Sequence, residues 1–164
     1  MQIKRNKRNV LLLTSCVEPI IKKNISNISI ANNLKDINKN IENLFNKFPE
    51  INKHYEIFLV DCSRNFNINY NNFEFLKENP KYKNQIKFIK IDFKEEEYNN
   101  ISLRGKGYSE LLLLENSIRI LNLKNEDIIH KLSARYCLKF PKFVLGYNSR
   151  NIYKYLISIT YSNI

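Results

Sequence analysis

The chain has 164 residues, the size of one domain, and its 43% hydrophobic and 12% aromatic content supplies apolar surface for a core, which excludes a disordered chain. Its 27 Lys and Arg against 16 Asp and Glu leave a formal charge of +11, which attracts nucleic acid, anionic lipid and phosphorylated ligands alike. Three separated cysteines exclude a disulfide-dense secreted scaffold, and three glycines exclude a collagen-like repeat. Asn, Ile and Lys are abundant even in the segments that look like loops. An AT-rich coding sequence produces such a bias, so part of the charge is compositional.

The N-terminus carries Lys4, Arg5, Lys7 and Arg8 ahead of the short apolar run Val10–Leu13. That run is too short for a secretory h-region and no segment is long enough to span a bilayer, so a cytoplasmic chain with reduced thiols is expected. Val10 to Cys16 is a short apolar run with polar residues on both sides, the pattern of a fully buried strand, closed by Pro19. From Ile30, apolar residues recur at Leu34, Ile37, Ile41, Leu44, Phe45 and Phe48, a single helical stripe that Pro49 ends. Tyr55 to Asp61 predicts a second strand, and Phe73 to Glu78 a short helix before Pro80. Ile86 to Ile91 predicts a third strand, less buried because lysines interrupt it. Glu95-Glu96-Glu97 reads as a solvated loop. Tyr108 to Leu123 predicts a strongly apolar helix, and Asp127 to Leu132 a fourth strand. Residues 140–164 are apolar and aromatic without a clear period, and Tyr153, Lys154, Tyr155 and Tyr161 suggest an interfacial patch there.

Strands alternating with helices predict one α/β domain over residues 1–164, with a mainly parallel sheet flanked by helices. Ligands of such sheets bind beyond the carboxyl ends of the strands. Thr14-Ser15, Asp61-Cys62-Ser63 and Ser133-Ala134-Arg135-Tyr136 fall at those ends.

Arg104-Gly105-Lys106-Gly107 opens the apolar helix and holds two of the three glycines. Glycines let backbone N–H groups approach an anion, a helix N-terminus adds partial positive charge, and Arg104 and Lys106 add full charges. The combination suits a diphosphate, without the spacing of a Walker loop; the plain alternative is a glycine turn with solvated cations. The Asp61 carboxylate could accept from a ribose hydroxyl or a base N–H, or could simply cap a turn. Lys131 and Arg135 could hold phosphates, Arg through its bidentate fork, or could pair with Glu126 or Asp127 at the surface. Cys16, Cys62 and Cys137 all fall near strand exits. With no C-x-x-C, and with His54 and His130 isolated, they make a poor metal set.

Gly105-Lys106-Gly107-Tyr108-Ser109-Glu110, followed by Lys131-Leu132-Ser133-Ala134-Arg135-Tyr136, resembles bacterial glycosyltransferases of lipopolysaccharide and capsule synthesis. Their pattern looks like G-K-G-Y-G-E and then K-[IL]-T-G-R-Y on a strand. Leu11–Ser15 and Val60-Asp61-Cys62-Ser63 are similar to their first strand and second-strand turn. The resemblance spans residues 9–140 and implies a GT-A nucleotide-sugar-binding fold. It implies transfer of a sugar from a nucleotide-diphosphate donor to a glycan or lipid-linked acceptor, on the inner face of the inner membrane. Thr14, Ser15, Asp61 and Ser63 would then hold the nucleoside, and Arg104, Lys106, Gly107, Glu110, Lys131, Arg135 and Tyr136 the diphosphate and sugar. Ser109 and Ser133-Ala134 depart from the pattern. No D-x-D pair stands at the fourth strand, which leaves the divalent metal of such enzymes, Mg or Mn, without its usual ligands. The shortness of the chain is expected of the N-terminal part of a longer transferase. The competing expectation is a non-catalytic basic module for nucleic acid or an anionic membrane surface. No RRM, KH or helix-turn-helix signature favours it.

Overall fold

The computed structural model describes residues 7–18 and 29–137. Pro19 and the aromatic segment around Tyr153 lie outside the described residues. Four parallel strands form the sheet: β1 (Asn9–Ser15), β2 (Glu56–Asp61), β3 (Ile86–Lys90) and β4 (Ile128–Ser133), in the order β3-β2-β1-β4. Ser15 stands opposite Asp61, and Thr14 opposite Ser133, so the carboxyl ends of three strands finish level with one another.

Side chains on a strand alternate between faces, and the apolar runs here bury both. Leu11, Leu13, Ile57 and Leu59 face one layer, while Val10, Leu12, Phe58 and Val60 face the other. The first layer is covered by α1 (Ile30–Lys47) and by α3 (Glu74–Glu78), which places Phe75 and Leu76 in the same core; the short α2 (Ile51–His54), which periodicity missed, adds Ile51. Ile37, Ile41, Leu44 and Phe45 are the expected stripe of α1. The Ser29 side chain caps that helix by accepting from the Asn32 N–H, and Phe48 ends it ahead of Pro49.

The second layer holds α4 (Glu95–Arg104) and α5 (Lys106–Ile120), through Tyr98, Ile101, Leu112 and Leu113. The chain steps from β1 to β2 to β3 in one direction and then returns across the sheet to β4. Right-handed crossovers therefore put the helices of the return on the opposite face.

Two expectations are corrected here. Glu95-Glu96-Glu97 is the first turn of α4 rather than a loop, and the Glu97 carboxylate accepts from the Lys94 N–H at 2.7 Å. Three carboxylates at a helix start offset the exposed N–H groups and the positive end of the dipole, which composition alone does not reveal. Arg104 does not open the apolar helix either: it is the last residue of α4, and Gly105 joins α4 to α5. α5 is also less buried than its composition suggests, since Leu111 is 59% exposed and Ile120 53%.

Candidate functional site at the switch point

The strand order reverses between β1 and β4, because α1 leaves β1 toward one face while β4 is reached from the other. That is the switch point at which open α/β sheets leave a crevice beyond their carboxyl ends. The turn Ser133–Tyr136 leaves β4 there, with the Ala134 N–H on the Thr14 carbonyl at 2.8 Å and the Tyr136 N–H on the Ser133 carbonyl at 3.1 Å.

Lys131 lies opposite Leu12 and so turns toward α5, where its ammonium meets the Glu110 carboxylate at 2.7 Å. Lys106, one helical turn before Glu110, approaches the same carboxylate at 3.7 Å and stands 5.9 Å from the centre of the Tyr136 ring. Arg135 donates to the Asn33 Oδ1 at 3.3 Å, and its charge is also felt at Glu110. Partial burial pushes the Glu110 carboxyl up, but the Lys131 hydrogen bond and charge, with Lys106 and Arg135 behind them, outweigh it and hold Glu110 below its ordinary value. The surface pairing considered for Lys131 and Arg135 is thus replaced: Lys131 pairs with Glu110, while the Asp127 carboxylate accepts from the N–H groups of Arg8 and Lys124.

The second group of expected residues sits deeper. Asp61 is fully buried, and its carboxylate accepts from the Ser15 hydroxyl at 2.5 Å, the Val17 N–H at 3.0 Å and the Ser63 N–H at 2.9 Å. The Ser63 hydroxyl accepts from the Glu18 N–H at 2.9 Å, and the Thr14 hydroxyl donates to the Leu132 carbonyl at 3.2 Å. These four side chains therefore tie the exits of β1, β2 and β4 together, the capping role weighed for Asp61.

Of the remaining predicted residues, Arg104 is exposed, with its guanidinium 4.9 Å from the centre of the Tyr108 ring. Gly107 lies in the first turn of α5 with open space where a Cβ would stand. Periodicity overlooked Asn33 and Asn40. Asn33 is fully buried and donates to the Val17 carbonyl at 2.7 Å while accepting from Arg135; Asn40 donates to the Ala134 carbonyl at 3.0 Å. The signal was present, since Asn33 falls one turn before Ile37 on the apolar stripe. A polar residue there needs a partner. Beside these bonds an open, mostly apolar groove runs between α1 and β4, lined by Leu13, Ile41, Leu44, Leu132 and Tyr136.

The described residues contain no cluster of three His, Cys, Asp or Glu able to hold a metal ion. At the β4 exit, Lys131 and Arg135 present cations rather than metal-ligating oxygens. No helix among the described residues is long and apolar enough to cross a membrane. No protein-family model, no curated protein and no solved structure matches this chain.

Proposed function

We propose that this chain binds the diphosphate of a nucleotide sugar at the β1/β4 switch point, in a GT-A-like arrangement, as the donor-binding part of a transferase that builds a bacterial surface glycan. The observation that supports this reading is the pairing of Lys106 and Lys131 with the one Glu110 carboxylate, with Arg135, bonded to Asn33, near enough for its charge to be felt there, at the end of the sheet where such folds take ligands. Three cations and Glu110 leave the cluster with a surplus of two positive charges, the complement of a diphosphate. As the sugar departs from its donor, negative charge grows on the leaving diphosphate. Lys131 as a compact charge and Arg135 as a planar fork stabilise it there, the kind of term that dominates many enzymatic accelerations. Glu110 holds Lys131 and Lys106 in place between turnovers and yields them to the phosphate oxygens.

Arg135→Ala tests this by calorimetric titration with a nucleoside diphosphate and with the parent nucleoside. Removing a hydrogen bond to a charged group costs about 1.5–3 kcal/mol, roughly a ten- to hundredfold loss of diphosphate affinity, with nucleoside affinity nearly unchanged. Arg135→Lys restores only part of it. Equal affinity in Arg135→Ala removes the basis of the reading. Binding abolished by a chelator assigns the phosphate to a metal instead of to these cations.

A further inference from the structure

We propose that Cys16 and Cys62 are a peroxide-sensitive thiol pair that closes to a disulfide at the carboxyl edge of the sheet. The two cysteines stand one step beyond the Ser15/Asp61 pair of the parallel β1–β2 ladder, and the Cys62 N–H continues that ladder to the Ser15 carbonyl at 3.3 Å. Neighbouring strands lie about 4.8 Å apart, inside the roughly 4.4–6.8 Å of Cα separation that disulfides span. Direction agrees with distance. Ser15 and Asp61 bond to each other on one face, so alternation turns the next pair to the other face, where both sulfurs join the core beneath α4 and α5. There Cys16 is near enough to the Cys62 thiol to raise its pKa.

The two are unequal in a useful way. Cys16 is partly exposed and donates to the Glu18 carbonyl at 3.0 Å. Cys62 is 1% exposed, held against the Ser15 carbonyl and the Ser109 side chain. The neighbouring Cys16 thiol first, and burial second, push the Cys62 thiol up, which disfavours its thiolate. Cys137 is set apart on the β4 exit turn, exposed, accepting from the Asn43 side chain at 2.7 Å.

The chemistry balances with hydrogen peroxide as the oxidant. The Cys16 sulfur attacks one peroxide oxygen, the O–O bond breaks, one water leaves, and Cys16 carries S–OH. The Cys62 sulfur then attacks the Cys16 sulfur, the S–O bond breaks, and a second water leaves as the S–S bond forms. Two thiols have lost two electrons and two protons, and hydrogen peroxide has become two waters. None of this depends on what the switch-point cations bind.

The experiment treats the reduced full-length protein with hydrogen peroxide, blocks remaining thiols with a maleimide, and maps the peptides by mass spectrometry. The expected product has lost two hydrogens, links the Cys16 peptide to the Cys62 peptide, keeps Cys137 labelled, and returns to three free thiols with dithiothreitol. Cys137→Ser keeps the linkage. Cys62→Ser stalls Cys16 as a sulfenic acid that dimedone captures. Should that buried change prevent folding, Cys16→Ser serves instead and leaves Cys62 unoxidised by the same dose. The proposal falls if Cys16 pairs with Cys137 or a second chain. It falls equally if Cys16 passes to the sulfinic acid with Cys62 still a thiol, or if both thiols survive peroxide unchanged.

Discussion

Glu110 is the residue on which the cation cluster turns. Its carboxylate neutralises Lys131 at 2.7 Å and attracts Lys106 at 3.7 Å, so under the proposed function it competes with the diphosphate for both cations. Glu110→Gln keeps the shape and removes that competing charge. We expect a severalfold rise in nucleoside diphosphate affinity by calorimetry, and a steeper dependence of that affinity on salt. A fall would mean that Glu110 contacts the ligand directly. Because its folded-state carboxyl lies below the ordinary 4.5, the ion pair is present above that pH and is lost only as pH falls through the lower, folded value. Binding near neutral pH is therefore insensitive to Glu110 titration.

At the scale of elements, the α4–α5 joint separates two glycines that look equivalent in the sequence. Gly105 has φ +84°, a region that side chains other than glycine enter only with strain, and it lets two helices meet end to end. Gly107 sits inside α5, and a methyl group added there would meet nothing within 4 Å. Gly105→Ala should cost roughly 1–2 kcal/mol of unfolding free energy, whereas Gly107→Ala should gain up to about 1 kcal/mol from helix propensity. Urea titrations of both variants check this, and equal effects would contradict the joint described.

A second prediction concerns how β4 rests against the chain between α2 and β2. The His130 ring packs edge-on to Tyr55 at 5.2 Å between centres, and burial pushes its pKa below the ordinary 6.5. Above 6.5 both the folded and the unfolded chain carry a neutral ring. As pH falls through 6.5 the unfolded chain takes up a proton first, so stability declines until the lower folded value is reached. Denaturant midpoints at pH 7.5 and 5.5 should show the decline, and His130→Gln should flatten that part of the profile.

At the scale of the whole molecule, the charge of +11 and the switch-point cluster make different demands on salt. Binding of a polyanion to a diffuse basic surface releases many counterions and collapses as salt rises. A nucleoside diphosphate held by three cations in a crevice has few counterions to release, and part of its affinity comes from contacts that salt does not screen. Affinities for a single-stranded oligonucleotide and for a nucleoside diphosphate, measured between about 50 and 200 mM salt, should separate accordingly. A diphosphate slope as steep as that of the oligonucleotide would favour the basic-module reading.

What the sequence determined by itself is local and periodic. The buried strands, the α1 stripe with its stop at Pro49, and the α/β alternation all follow from short-range pattern, because side-chain period and chain-breaking residues act within a few positions. The polar residues at strand exits were legible for the same reason. Only the tertiary structure decided which of them meet. From sequence Asp61 reads as a cap first and a ligand contact second, and the Val17 and Ser63 N–H groups turned onto it show the cap. Lys131 pairs with Glu110, twenty-one positions earlier in the chain, and not with nearby Asp127, because alternation on β4 aims it at α5. Cys16 and Cys62 become neighbours, and Cys137 does not, through the register of β1 against β2. Partner choice across a sheet depends on strand order and register, which long-range packing sets and local pattern does not encode.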